Sequence, residues 1–143
     1  MSQPSTLSVE RGLARAGRIR LATVLLWGQG LYYFVTGVWP LVSISTFEMI
    51  TGPKTEDWLV QTVGALIVVI AITLLTSAWK RRSPPEVVLL AVGSAGALTA
   101  VDVVFVARGM IPPIYLLDAA AEVVLIAAWA WALFRGSHGG LTA

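Results

Sequence analysis

The sequence has no cysteine and a single histidine, His138, which lies in the glycine-rich stretch GSHGG. Without cysteine the chain has no disulfide, no cysteine-ligated zinc and no thiol nucleophile. One histidine cannot form the cluster that usually holds a catalytic metal, so a metal would have to be bound by carboxylates alone. A Ser-His-Asp triad is excluded in practice, because His138 is far from the acids of the apolar segments. We predict neither a metal nor a cofactor.

Charged residues are also scarce. They make up 13% of the 143 residues, against about 25% in soluble proteins, while 57% of the residues are hydrophobic. The net charge of +2 is too small to indicate nucleic-acid binding, so no nucleic acid is expected as a partner. The basic residues cluster beside apolar runs, which indicates contact with the anionic head groups of a lipid bilayer. By length the chain is one domain.

The sequence contains four long apolar runs. Each contains the roughly 20 residues that cross about 30 Å of hydrocarbon. None alternates with period two, so a β-barrel is not supported. The short connections make consecutive helices antiparallel neighbours, which predicts an all-α, up-down bundle of four transmembrane helices. The predicted spans are about 21–43, 58–79, 86–107 and 113–134.

Local signals agree with these boundaries. Ser83 is a predicted N-cap, with Pro84 at the first helical position and Glu86 as its capping-box partner. Thr55 is the predicted N-cap of the second span. Gly109 is the predicted stop of the third.

Lysine and arginine predict the orientation. Eight of the ten flank one side, and the positive-inside rule places that side, with both termini, in the cytoplasm of a cell inner (plasma) membrane. Lys54 and Arg108 alone flank the outer side. The basic segment 1–20 is predicted to lie on the cytoplasmic surface, and the alternative is that it is a frayed tail. A transmembrane domain over 21–135 and a flexible cytoplasmic tail over 136–143 are predicted to follow it. The eight basic residues on the predicted cytoplasmic side are Arg11, Arg15, Arg18, Arg20, Lys80, Arg81, Arg82 and Arg135.

Small residues predict where helices touch. In the third span Gly93 pairs with Ala97, Gly96 with Ala100 and Ala91 with Ala95 at the spacing that lets two helix backbones approach closely. We expect packing within the chain, and a homodimer face is the alternative.

Three acids lie inside the predicted spans. Asp118 and Glu122 are one turn apart, about 8 and 14 Å inside the outer end of span four, and Asp102 in span three lies at a depth similar to that of Asp118. Each ionised carboxylate near the centre of a lone helix costs about 2.5–3.5 kcal/mol. We therefore expect the acids to face the bundle interior, to pair with another group or to be protonated.

Polar residues of the other spans reach the same level. Tyr32, Tyr33 and Thr36 lie in the middle of span one, whereas Gln29 lies in its inner half. Arg108, at the outer end of span three, is the nearest candidate cation. The predicted ligand site, with no catalytic residue assigned, consists of Asp102, Asp118, Glu122, Tyr115, Gln61 and Arg108.

Three functions are open from these residues. The first is binding or transport of a small amphipathic or cationic ligand in an outward-facing acidic pocket. The second is a structural or accessory subunit of a larger membrane complex, in which the acids form hydrogen bonds between helices. The third is an intramembrane enzyme that modifies a lipid, with the acid pair Asp118 and Glu122 transferring a proton. It requires a closed apolar pocket around the pair, and a non-enzymatic role is favoured over it.

Two stretches carry a resemblance to a known group. TGPKTEDWLVQTVG (51–64) and IYLLDAAAEVVL (114–125) resemble small, uncharacterised bacterial four-span membrane proteins, over about residues 20–134. At the level of fold the chain is also similar to DoxX-like and EXPERA-type four-helix membrane proteins. The resemblance implies the architecture and assigns no site residue. EXPERA-type members keep acids in a membrane-embedded ligand pocket, and none of their motif residues is matched here.

Overall fold

The computed structural model of the protein describes residues 6–134, which form five α-helices and, within that range, no strand. The all-α prediction is confirmed. The predictions for Arg135, His138 and the tail 136–143 lie outside the described residues. The helices are α1 (Thr6–Val42), α2 (Ile44–Thr51), α3 (Asp57–Trp79), α4 (Pro85–Ala107) and α5 (Tyr115–Phe134).

Four helices are long and apolar enough to cross a membrane, as a multi-pass membrane protein requires. Their apolar stretches agree with the predicted spans to within two residues. Large apolar side chains such as Leu89 and Val124 are exposed on their outer faces, which suits contact with lipid. The four stretches are Ile19–Val42, Asp57–Trp79, Pro85–Ala107 and Tyr115–Phe134.

The first helix is longer than a span needs. Its 37 residues extend over about 55 Å, so its N-terminal turns reach beyond about 30 Å of hydrocarbon. The backbone of residues 6–20 therefore continues the helix of the first span without a break. Its position on the membrane surface stays a prediction.

Both predicted N-caps are one residue too early. The N-cap of α4 is Pro84, whose backbone is extended (φ −64°, ψ 153°), because the residue before a proline is disfavoured in the helical region and Pro85 follows it. The N-cap of α3 is Glu56, which makes no side-chain capping bond. The predicted stop at Gly109 is confirmed: its φ is 67°, and its N–H donates to the Val106 carbonyl at 2.9 Å.

Two pairs of helices pack closely, α1 with α3 and α4 with α5. A Cβ atom added to Gly37 would lie 2.8 Å from the carbonyl oxygen of Gly64, and one added to Gly64 would lie 2.7 Å from that of Gly37. Gly30 likewise faces Leu75. These contacts show that α1 and α3 touch backbone to backbone and run in opposite directions.

The predicted small-residue contacts of α4 are wrong in part. Added Cβ atoms at Gly93 and Gly96 would meet nothing within 4 Å, and Ala97 is exposed. The third predicted pair, Ala91 and Ala95 on another face, is confirmed, since both residues are fully buried. Small residues occur on several faces of α4, so their spacing alone did not identify the packed one. The homodimer alternative stays a prediction.

The two ends of the bundle differ. At the α2 end, where α1 and α4 finish and α3 and α5 begin, the Lys54 ammonium lies 4.9 Å from the centre of the Tyr115 ring. Gly52 (φ 84°) lies against Pro112 in the same place, so the connection before α3 covers the start of α5. The opposite end, which we call the basic end, carries Arg20 on α1 and the turn Lys80–Arg82 between α3 and α4.

Candidate functional site

Polar side chains in the interior of the bundle join α1, α4 and α5. Glu122 on α5 has no exposed surface, and its Oε2 accepts a hydrogen bond of 2.8 Å from the Tyr33 hydroxyl on α1. The Ser94 hydroxyl on α4 lies 3.4 Å from the same tyrosine oxygen. Glu122 Oε1 has no hydrogen-bond partner within residues 6–134. A buried acid is thus held by one of its two oxygens.

Gln29 connects the three helices. Its Nε2 donates to the Ala91 carbonyl at 2.8 Å and to the Tyr33 hydroxyl at 3.2 Å, and its Oε1 accepts a bond of 2.9 Å from Trp129 Nε1. Gln29 and Trp129 are buried, so both donors and the acceptor of this amide are satisfied by protein groups. We call Gln29, Tyr33, Glu122 and Trp129 the buried network.

A second group lies one turn closer to the α2 end. The Tyr32 hydroxyl donates to Asp118 Oδ1, and the Asp102 carboxyl lies beside that of Asp118, close enough for a hydrogen bond if one of the two holds a proton. Asp102 is buried, and its Oδ2 has no hydrogen-bond partner in the described part of the chain. Asp118 is half-buried. We call Asp102, Asp118 and Glu122 the acid cluster.

Among the residues that the structure describes, no cation forms an ion pair with the acid cluster. The charged groups that act on Asp102 are Asp118 and Glu122, and the carboxylate that acts on Glu122 is Asp118. Within residues 6–134 no group of His, Cys, Asp or Glu side chains is arranged to hold a metal ion. Three carboxyl groups at membrane depth are costly unless they are protonated or paired with another group.

The structure brings together three of the six predicted site residues, Asp102, Asp118 and Glu122. Among the described residues, no hydrogen bond or ion pair joins the other three to these acids. Tyr115 is half-buried under the Lys54 ammonium, and Gln61 is half-buried on α3. Arg108 is exposed at the end of α4 and is not among the charges that act on Asp102 or Glu122.

Sequence reasoning missed Gln29, Trp129 and Ser94, and it placed Tyr32 and Tyr33 at the right depth without assigning them to the site. Gln29 and Tyr33 are four residues apart and share one helix face with the buried Leu26. This polar stripe on an otherwise apolar helix was the available signal. The role of Trp129 had no such signal, because tryptophan in a span is equally typical of lipid contact.

A groove between α1 and α5 borders the acid cluster. It is shallow, has a volume of about 390 Å³ and is open to the surroundings of the bundle. Its lining is Tyr32 and apolar residues of α5, Ala120, Ala121, Val124 and Leu125. The Tyr32 hydroxyl bonds to Asp118. The Tyr32 side chain therefore lies between this apolar groove and the Asp118 carboxylate.

No protein-family model, curated protein or solved structure matches the chain. The resemblance carried by residues 51–64 and 114–125 therefore stays a prediction. In the structure these two stretches meet at the α2 end, where Lys54 covers Tyr115.

Proposed function

We propose that the protein binds a small amphipathic cation in the outer half of the cell inner membrane, at the groove between α1 and α5. In this proposal the chain is an up-down bundle with both termini in the cytoplasm, related to the small bacterial four-span proteins. The eight-to-two distribution of Lys and Arg supports the orientation. The opposed directions of α1 and α3, seen in the Gly37–Gly64 and Gly30–Leu75 contacts, support the up-down order.

The observation that carries the proposal is the position of Asp118. It is the half-buried member of the acid cluster, and its hydrogen-bond partner Tyr32 lines the apolar groove. Asp102 and Glu122 are buried behind it. A ligand with an apolar body would lie on Val124 and its neighbours and would direct its positive charge toward Asp118 when Tyr32 turns aside.

Charge balance suggests what accompanies binding. Asp102 and Asp118 lie side by side, so one proton between their carboxyl groups would satisfy both. A cation that pairs with Asp118 would replace this proton. Binding would then release a proton, as in ligand–proton exchange.

Tetraphenylphosphonium, an amphipathic cation, tests the proposal. We expect Asp118→Asn to weaken its binding to the reconstituted protein about tenfold or more, because two unit charges roughly 6 Å apart attract by about 2–3 kcal/mol at an effective dielectric constant of about 20. Equilibrium dialysis against vesicles that contain the protein, with empty vesicles subtracted, measures the affinity.

Glu86→Gln is the matched control, since Glu86 is an exposed acid in the first turn of α4 at the basic end. Its affinity should equal that of the wild type. Neutral triphenylphosphine oxide should bind the wild type and Asp118→Asn equally. Unchanged phosphonium binding by Asp118→Asn would refute the proposal.

The accessory-subunit interpretation has its own observation in its favour. The buried network satisfies the Gln29 amide completely and joins three helices, which is what a structural connection requires. If it alone explains the acids, the protein should copurify with partner chains in mild detergent, and Asp118→Asn should disturb assembly without changing phosphonium binding. A lipid-modifying enzyme is less well supported, because Glu122 has no exposed surface and a substrate atom could reach it only if the helices moved.

A further inference from the structure

A second, larger groove lies at the basic end, away from the acid cluster. It is an open groove of about 830 Å³ between the start of the α1 span and the end of α3. Val24 and Trp27 on α1 form its apolar wall, and Trp79 lies at its rim. Arg20 and Arg81 line the same groove from the two helices. The groove therefore combines an apolar wall with two positive charges at one end.

Arg20 and Arg81 lie near the ends of two membrane spans. Arg20 is the second residue of the apolar stretch that begins at Ile19, and Arg81 follows the last residue of α3, Trp79, by two positions. Arginine and tryptophan at span ends lie at the level of the lipid head groups. The apolar part of the groove then lies at the level of the acyl chains.

The backbone at Arg81 is in an unusual conformation. Its φ is 49°, the single positive value at a non-glycine residue in the described chain. The Arg81 N–H donates to the Ala78 carbonyl at 3.0 Å, and the Arg82 N–H donates to the Ser77 carbonyl at 3.1 Å. This pair of bonds ends a helix in the manner that usually requires glycine at the position of Arg81. An arginine there is unfavourable for the turn, and a strained residue of this kind is a reason to look for a function of its side chain.

We propose that the groove binds one anionic phospholipid. Its phosphate lies between Arg20 and Arg81, and one acyl chain lies along Val24 and Trp27. Arginine forms paired hydrogen bonds with phosphate oxygens, and a groove that is apolar beyond the arginines selects a phosphate that carries a hydrocarbon chain. The inference is independent of the acid cluster and of the proposed cation binding, because none of the acids lines this groove.

Native mass spectrometry of the full-length protein in detergent tests the proposal. The probes are phosphatidylglycerol and phosphatidylcholine with identical acyl chains. We expect the wild type to retain one phosphatidylglycerol in preference to phosphatidylcholine. Arg81→Gly and Arg20→Gln should each lower this retention about fivefold, because each arginine near a lipid surface contributes roughly that factor.

Arg108→Gln is the matched control, since Arg108 is an exposed arginine after the end of α4, at the opposite end of the bundle. It should retain phosphatidylglycerol as the wild type does. Arg81→Gly also separates binding from folding, because glycine suits a φ of 49° and the variant should unfold at the same temperature as the wild type or a higher one. Equal retention of the two lipids by the wild type, or wild-type retention by Arg81→Gly, would overturn the proposal.

Discussion

Gly64→Val is expected to destabilise the protein by about 3 kcal/mol, through separation of α1 from α3. The Cβ atom would lie 2.7 Å from the Gly37 carbonyl oxygen and 3.0 Å from Pro40 Cγ. Neither neighbour is the end of a flexible side chain, so the helix itself would have to shift. Unfolding in mixed micelles with an increasing fraction of denaturing detergent, followed by circular dichroism, measures the loss.

The effect is large because of what holds membrane helices together. Lipid supplies no hydrophobic drive between helices, so van der Waals contact at close range carries much of the α1–α3 association. Gly37 and Gly64 face each other, and Gly30 lies against Leu75 farther along the same pair of helices. A displacement at one position loosens contacts along the whole interface.

Gly93→Val on α4 is the matched control. It makes the same chemical change within a span, and an added Cβ at Gly93 meets nothing within 4 Å. We expect a change below about 1 kcal/mol, as for exposed positions. Equal destabilisation by the two variants would contradict the close α1–α3 contact. Loss of a dimer in Gly93→Val alone would support the homodimer alternative.

Gln29→Leu is expected to cost about 2 kcal/mol. Leucine fills a similar volume but leaves Trp129 Nε1 without its acceptor and removes one of the bonds that the Ala91 carbonyl accepts, at about 1 kcal/mol each. Interhelical hydrogen bonds in membranes are worth about 0.6 kcal/mol on average and up to about 1.7, which agrees with this range. The same micelle titration measures it.

A double-mutant cycle with Trp129→Phe shows whether the hydrogen bond or the change of shape is responsible. Phenylalanine removes the indole N–H that Gln29 Oε1 accepts. The double variant should be more stable than the two single losses together imply, by about 0.5–1 kcal/mol. Additive losses would mean that the 2.9 Å contact contributes nothing.

Thr99→Val is the control for that cycle. The Thr99 hydroxyl donates to the Ala95 carbonyl of its own helix at 2.8 Å, so its removal leaves no donor of another helix unpaired. We expect it to change stability by less than about 0.5 kcal/mol. A loss as large as that of Gln29→Leu would show that any polar side chain in a span has this effect.

The sequence by itself determined the elements of this protein. Apolar runs of about 20 residues gave the four spans to within two residues, because hydrocarbon thickness fixes how long such a helix has to be. The depths of Asp102, Asp118 and Glu122 followed from counting residues along those spans. The stop at Gly109 was predictable because glycine adopts a positive φ without strain.

Only the tertiary structure decided which faces meet. Small residues lie on several sides of α4, and it is the rotation of the helix that buries Ala91 and Ala95 and exposes Gly93. The same holds for the site: Gln29 and Trp129 are 100 residues apart and become partners through the packing of α5 on α1. Helix formation depends on neighbours in sequence and on the solvent, whereas these contacts depend on how rigid helices pack, and no local pattern encodes that rotation.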